Sequence, residues 1–348
     1  MAIRPVSRRF PRTWWPVLVV AAVLTLVAAC GVFAEDELIV YAVGEEGGRN
    51  IVVVRGDGEE RRVIIASPAD DFGPVWSPER DRIAFLTNRD GNVEVYVSPP
   101  DGSNPMRITN TGVDESQPTW SPDGDRLAFT SPDAEGKPRV FWLRMDDLLP
   151  NRLLFGSDSE VDPAWSPGGT WIAFVALNAQ GESIGLFLRN PDGVNRLQLT
   201  QSPDRSPVWS PDGKKLAFVS ERDGDEEIYV LKVGSEGPDG QARRITDNPA
   251  SDTAPDWSPD SKRVAFISDR NGGRDIFVVS EKGENLRTLT PGGEFEELSL
   301  SWGSRGDIVF ESQASGQSAL FVTGTGSDSG DTQRRISVGD APSSQPDW

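Results

Sequence analysis

A tryptophan that returns every 44 to 48 residues constrains this chain more than any other feature. It sits in a recurring stretch, Pro-x-Trp-Ser-Pro-Asp-Gly. The copies begin with Pro74-Val75-Trp76-Ser77-Pro78 and Pro118-Thr119-Trp120-Ser121-Pro122-Asp123-Gly124. They continue through Trp165, Trp209 and Trp257, degenerate to Leu300-Ser301-Trp302-Gly303, and end in Pro346-Asp347-Trp348. After each turn-forming Ser-Pro-Asp-Gly comes an apolar triplet such as Ile83-Ala84-Phe85 or Leu216-Ala217-Phe218. A second turn, a run such as Val95-Tyr96-Val97 and an Arg-Leu-Thr-like segment such as Arg244-Ile245-Thr246 complete the unit. Short β-branched and aromatic runs separated by turn residues read as antiparallel strands. Four strands repeated at a period in the forties make a propeller blade.

Six full units start at Trp76, Trp120, Trp165, Trp209, Trp257 and Trp302. A partial unit with strands near Leu38, Ile51 and Val63 precedes them without a Trp strand, and Trp348 ends a Trp strand with no successor. The two ends complete each other. The expected fold is therefore all-β, a seven-bladed propeller closed by the C-terminal Trp strand joining the N-terminal partial blade. A closed ring exposes no sheet edge. A six-bladed ring with a loose N-terminal sheet is the alternative. Each repeated Trp is expected to pack between neighbouring sheets; Trp142 is assigned to the core and Trp171 is left open. Loops at residues 234–240 and 323–331 exceed the repeat and read as solvated excursions.

The motif Trp-Ser-Pro-Asp-Gly-x-x-Ile-Ala-Phe, followed by Arg-Asp-Gly, Ile-Tyr-Val and Arg-Leu-Thr, resembles the WD-repeat-like propeller of TolB-type periplasmic proteins. The resemblance covers roughly residues 38–348. It implies an exported propeller, without the additional N-terminal domain of TolB. The same repeat precedes catalytic domains in some prolyl-oligopeptidase-like enzymes, and no such domain is expected here.

The N-terminus agrees with export. Arg4, Arg8, Arg9 and Arg12 precede a mostly apolar stretch at residues 14–29, which ends in Val27-Ala28-Ala29-Cys30. Small residues before a cut mark a signal peptide, and Cys30 directly after it resembles a bacterial lipobox. Sixteen residues fall short of the ~20 that a spanning helix needs. The expected organisation is a signal peptide at 1–29, a lipidated tether at 30–37 and the propeller at 38–348. An ordinary signal, a retained anchor, and twin-arginine export through Ser7-Arg8-Arg9 are the alternatives. The product would sit periplasmically or on the outer face of the bacterial cell membrane, touching lipid only through its anchor.

Charge and missing residue types narrow the function. Residues 1–29 carry four of the 35 basic residues and none of the 54 acidic ones, so the remainder has a net charge of −23. Such a field disfavours nucleic acid and favours cations and basic surfaces. The chain has no histidine and one cysteine. This excludes Ser-His-Asp and Cys-His nucleophile systems, His-bearing zinc sites and an intrachain disulfide.

The strongest chemical pattern lies five residues before each Trp: Asp71, Glu115, Glu160, Asp204, Asp252 and Glu297. If these acids ring the channel entrance at ~10 Å spacing, repulsion in water costs only about 0.4 kcal/mol per pair. Arg89, Arg222 and Arg270 follow Asp71, Asp204 and Asp252 at a constant offset of 18 residues, which predicts structural ion pairs for these three channel-mouth acids. The turns facing Glu115, Glu160 and Glu297 hold no arginine, while Asp114, Asp162 and Glu296 add charge beside them. These six are the candidate binding residues. No cofactor is required, although oxygen ligands without His or Cys suit Ca²⁺. The expected function is non-catalytic binding of an envelope protein or basic peptide by a monomer. A Ca²⁺ or small-ligand sensor and a carboxylate-dependent glycoside hydrolase are the alternatives.

Overall fold

The computed structural model describes residues 38–147, 150–152, 158–191, 195–290, 295–315, 317–325, 333–337 and 343–347. The expectations for residues 1–37, including Cys30, and for Trp348 and most of the 323–331 loop fall outside the described residues. Seven antiparallel sheets are present, and their innermost strands carry the tryptophan repeat. These strands are Asp71–Trp76, Ser116–Trp120, Ser159–Trp165, Asp204–Trp209, Asp252–Trp257, Glu296–Trp302 and Ser343–Asp347, which open blades 1 to 7. Each inner strand touches the next, and Ser343–Asp347 touches both Glu296–Trp302 and Asp71–Trp76, so the ring is closed. Blade 7 is shared between the chain ends. Ser343–Asp347 pairs antiparallel with Leu38–Val43, placing Val40 opposite Asp347 and Val43 opposite Ser343.

The repeated residues explain the packing. In blades 1 to 5 the Ala of the apolar triplet removes bulk where the next blade's indole must enter. Trp120 packs with Ala84, Trp165 with Ala128, Trp209 with Ala173, Trp257 with Ala217 and Trp302 with Ala265. Three indole Nε1 atoms also donate to the preceding blade's backbone: Trp120 to Val75 O, Trp209 to Ala164 O and Trp257 to Val208 O, at 3.1–3.3 Å. Because blades cover one another on both faces, second and third strands such as Ile83–Thr87 and Glu94–Ser98 are buried throughout. Trp142 is in the core, donating to Pro191 O at 3.0 Å, and Trp171 is buried with Trp209.

The Pro-x-Trp element is a bulge. The residue before the proline takes a left-handed conformation, with φ of 50–57° at Gly73, Gln117, Asp162, Ser206 and Ala254. The register of the inner strand shifts there in each of these blades. Proline has no N–H for a ladder, so a bulge on an edge strand is where it fits. In the following turn the serine Oγ accepts the N–H five residues on, at 2.9–3.0 Å in blades 1 to 5. One glycine is obligatory at the outer rim. Gly102 has φ +74°, and a Cβ there would lie 1.9 Å from the carbonyl oxygen of Ile64 in blade 7.

The extra residues at 234–240 form a solvated excursion with added order: Glu227–Gly234 runs on and folds back on Gly237–Pro238, and all of 234–240 except Gly237 is exposed.

Deleting residues 343–348 removes the inner strand of blade 7 and leaves Leu38–Val43 with an open edge. Truncating a large buried side chain typically costs ~3–5 kcal/mol, and losing a whole inner strand costs at least that. The melting temperature should fall markedly, and hydrogen exchange should show Val40 and Ala42 losing protection. Unchanged protection there would contradict closure at this seam.

Candidate functional site

Antiparallel pairing brings the start of each inner strand to the same end of the ring as the turn between strands two and three. The six repeated acids lie at that end, at the starts of the innermost strands, and they are buried rather than solvated. All are between 0 and 3% exposed. The chain draws them into the clefts between blades, where backbone and side-chain donors replace water.

In blades 1, 4 and 5 the expected ion pairs form. Arg89 meets Asp71, Arg222 meets Asp204 and Arg270 meets Asp252, each at 2.8 Å. The arginine Nε donates to Thr87, Ser220 or Ser268. Its guanidinium lies over an aromatic ring of its own blade, 4.8 Å from Tyr96, 4.5 Å from Tyr229 and 4.6 Å from Phe277. The acid also ties to the linker from the preceding blade, through Ser67 to Asp71 and Asn248 to Asp252 at 2.8 Å. In blades 1 and 5 the pair therefore fastens one strand, one turn and one linker together.

The glutamate blades are built differently, and among the described residues only Glu160 of the three has an arginine close by. Glu160 lies 3.9 Å from the fully buried Arg189. Burial nevertheless pushes its carboxyl above the usual range, outweighing Arg189, Arg139 and Arg196. Glu115 accepts hydrogen bonds from Thr111 (2.7 Å), Ser131 (2.9 Å) and Thr109 (3.2 Å). Burial, with a further push from neighbouring Glu94, raises it to about 7 against the pull of those hydroxyls. Burial works against Glu94 too, but donors from Thr109, Asn92 and Arg107 prevail and hold its carboxyl low. One of the two acids keeps the charge and the other tends to keep a proton. Burial, Asp275 and Glu296 likewise push Glu297 up to about 7.

The flanking acids serve the backbone. Asp114 accepts the Val93 N–H at 2.7 Å, and Glu296 accepts that of Arg274 at 3.0 Å. Asp162 is a bulge residue; it bonds Gln117 of blade 2 and accepts the Ser206 N–H of blade 4 at 3.4 Å. Glu115 and Glu160 thus occupy separate clefts rather than one surface. Above Glu115, between Ile108–Thr111 of blade 1 and Phe129, Ser131, Asp133, Phe141 and Leu143 of blade 2, opens a cleft of about 550 Å³. Among the described residues no group of three or more Asp, Glu, His or Cys is arranged to hold a metal ion.

Two features escaped the sequence reading. An acid opens the third strand in blades 1, 4 and 5: Glu94, Glu227 and Asp275 precede Val95, Ile228 and Ile276. Its position before each apolar run is the signal that could have revealed it. Deeper in the ring, Asp256 accepts the N–H of its own Trp257 at 2.8 Å and of Trp302 in blade 6 at 2.7 Å. Asp347 does the same for Trp76 across the seam at 2.7 Å. Burial, with a smaller contribution from Asp347, pushes Asp256 up to about 6.

Asp204→Asn should lower stability by about 2–3 kcal/mol. That is below the ~3–5 kcal/mol of a fully buried broken pair, because Arg222 keeps some water contact. Glu115→Gln should leave the melting temperature near wild type, since no cation loses its mate. Thermal denaturation of both variants tests the distinction. Glu115 and Glu297 hold a proton more tightly folded than unfolded. Between pH 4.5 and about 7 the folded chain therefore binds the extra protons, and stability should fall as pH rises through that window. A pH series on the double variant Glu115→Gln, Glu297→Gln should show a flatter decline.

With this geometry in hand, comparison with known proteins is direct. The family model described as "TolB beta propeller domain" matches residues 31–206 and again 203–348. The chain is similar to TolB from Acinetobacter baumannii, with a TM-score of 0.60 at 18% identity over 90% of this chain and 66% of that one. A putative TolB from Agrobacterium tumefaciens gives 0.52 at 20% identity, over 72% and 87% of the two chains. A puromycin-hydrolyzing peptidase of Mycobacterium tuberculosis gives 0.58 at 20% identity, over 73% of this chain and 45% of its own. At these identities the structural likeness concerns the fold, and this chain spans just under two thirds of the Acinetobacter protein. No curated protein matches it. Seven blades built on one tryptophan repeat, matched end to end by that family model, place the chain in the TolB β-propeller domain family.

Proposed function

We propose that this chain is a non-catalytic, protein-binding propeller working outside the cytoplasm, held at the membrane through Cys30. The observation that carries the reading is the cleft above Glu115, whose apolar walls meet hydroxyls that are held by a buried carboxyl and by no imidazole. Its hydroxyls, on Thr109, Thr111 and Ser131, donate to Glu115. Without histidine, no imidazole can activate them. Membership of a propeller family supports binding, since propellers present rigid faces on which sites are grafted. The net charge of −23 outside residues 1–29 supports a basic partner. Among the described residues no helix is long and apolar enough to cross a membrane. Attachment is assigned to the N-terminal segment because its apolar stretch ends in Ala28-Ala29-Cys30; that segment lies outside the described residues.

Affinity capture from detergent-solubilised envelope, with the chain as bait, should recover a discrete partner whose retention falls as salt rises. Cys30→Ala should move the chain from the detergent phase to the aqueous phase. Mass spectrometry finding an unmodified Cys30 in membrane-bound protein would refute the anchor. Calcium-dependent thermal stabilisation would favour the sensor reading. Turnover of a glycan panel, lost in Glu115→Gln, would make the low Glu94 and raised Glu115 a catalytic pair.

A further inference from the structure

Six of the seven blades carry the same aromatic pair on the face turned toward the preceding blade, at the acid end. The pairs are Phe85–Tyr96, Phe129–Phe141, Phe174–Phe187, Phe218–Tyr229, Phe266–Phe277 and Phe310–Phe321, with centroids 5.6–6.0 Å apart. In five blades the chain covers its own pair. Arg89, Arg222 and Arg270 do so in blades 1, 4 and 5 while reaching the inner acid. In blade 3, Arg196 lies 3.9 Å from the Phe187 centroid and Arg189 5.8 Å from Phe174. In blade 6, Phe295 meets Phe321 edge-on at 6.4 Å.

Blade 2 is the exception. Among the described residues no cation and no third ring lies over Phe129 or Phe141, and the 550 Å³ cleft opens there instead. The residue two beyond Ser131, where the sibling blades place arginine two beyond Thr87, Ser220 or Ser268, is Asp133. Asp133 turns to Arg139 at 3.0 Å and accepts the N–H groups of Glu135 and Lys137 in its own turn. Beneath the hydroxyls of Thr109, Thr111 and Ser131, which line the cleft and bond Glu115, lies an excess of negative charge. Glu94 and Glu115 adjoin, and Arg107 bonds only Glu94 of the two, its other partners being Asp90 and the carbonyl oxygen of Thr109. The second oxygen of Glu94 is buried without a hydrogen-bond partner. Asp114 stands on the linker beside Glu115, bonded to the Val93 N–H.

We infer that this cleft is a receptor for an arginine side chain supplied by a partner polypeptide, which would occupy the place that Arg89, Arg222 and Arg270 take in their own blades. The protein contains its own template for the complex: a guanidinium over the aromatic pair, forked onto a buried carboxylate and a hydroxyl. Ser131 matches the hydroxyl and Glu115 the carboxylate. Lysine fits less well, because its compact ammonium neither stacks on a ring nor forks onto two acceptors. The cleft volume is within the roughly 300–1,000 Å³ of ligand sites and leaves room for residues flanking the arginine. A bound cation supplies the charge that the Glu94–Glu115 pair lacks, so docking should release a proton. Affinity should then rise with pH, by up to about tenfold per unit below the Glu115 midpoint. The inference takes its partner class from the protein-binding reading above, and its chemistry from the cleft alone.

The test titrates the full-length chain in detergent with an acetyl-Gly-Arg-Gly-amide peptide, following the methyl resonances of Ile108 and Leu143. Saturable shifts of these two residues are expected with the arginine peptide. Binding should be weaker with its lysine counterpart and at least about tenfold weaker with the isosteric, uncharged citrulline one. Glu115→Gln should weaken arginine binding about tenfold and flatten its pH dependence. Free L-arginine, which carries a carboxylate into an acidic cleft, should also bind about tenfold less; equal or tighter binding would make the ligand a small molecule and overturn the polypeptide assignment. Equal binding of citrulline and arginine peptides to the unaltered chain, or shifts confined to other blades, would overturn the receptor without relying on any variant. A peptide failure with a partner still captured from the envelope defeats this inference alone. Peptide binding with no partner captured defeats the wider reading instead.

Discussion

The ring depends on one recurring contact, an indole seated against the blade before it: on an alanine for Trp120, Trp165, Trp209, Trp257 and Trp302, and beside Val40 and Ala42 for Trp76. A Trp side chain buries roughly 150–250 Å², and here it does so between sheets rather than within one. Each blade is therefore incomplete without its neighbour. The last blade must then find its own partner, which the chain supplies by lending Ser343–Asp347 to Leu38–Val43. Closure also covers the two sheet faces that an open stack of blades would leave exposed.

The acid end carries a second repeated contact, electrostatic rather than apolar, and it tolerates variation where the indole contact does not. Asp71, Asp204 and Asp252 each draw an arginine into the interblade cleft. Where the acid is one methylene longer the arginine is absent, and each cleft is completed in its own way. Hydroxyls reach Glu115, Arg189 reaches Glu160, and Glu297 is left beside Asp275. Burying a carboxylate without a matched cation pushes it toward its neutral form, which is why the unmatched glutamates titrate near neutrality. The ring thus holds three locked clefts and three whose charge is balanced less completely.

A scaffold of near-identical units concentrates specificity in its exceptions. Blade 2 departs at three linked positions: Glu115 for aspartate, Asp133 for arginine and Arg139 for the acid that opens the third strand in its sibling blades. None of these alters the apolar seat of Trp120 or Trp165, so the fold is indifferent to them. Asp256 and Asp347 form another pair of exceptions, each clamping the backbone N–H of the next tryptophan. These two join blades at the seam and at the degenerate sixth repeat, where the standard motif is incomplete.

The architecture was legible because a propeller's period, turn residues and strand content are local properties, repeated often enough to be counted. The Asp–Arg pairs were legible as well, since a constant offset of 18 residues places both ends on one blade. What the chain alone could not reveal is which side chains share a cleft across two blades. Glu94 and Glu115 lie 21 residues apart in the sequence and belong to different sheets, and only the docking of those sheets sets them side by side. The same docking turned a supposed ring of solvated acids into buried ones. Sequence by itself determined the repeated four-stranded blades and their complementary chain ends, because tryptophan and turn spacing are local, and the pairing of Ser343–Asp347 with Leu38–Val43 chose seven blades over six. Tertiary structure alone decided the protonation and accessibility of the acids, because both depend on desolvation by a neighbouring blade that no local motif records.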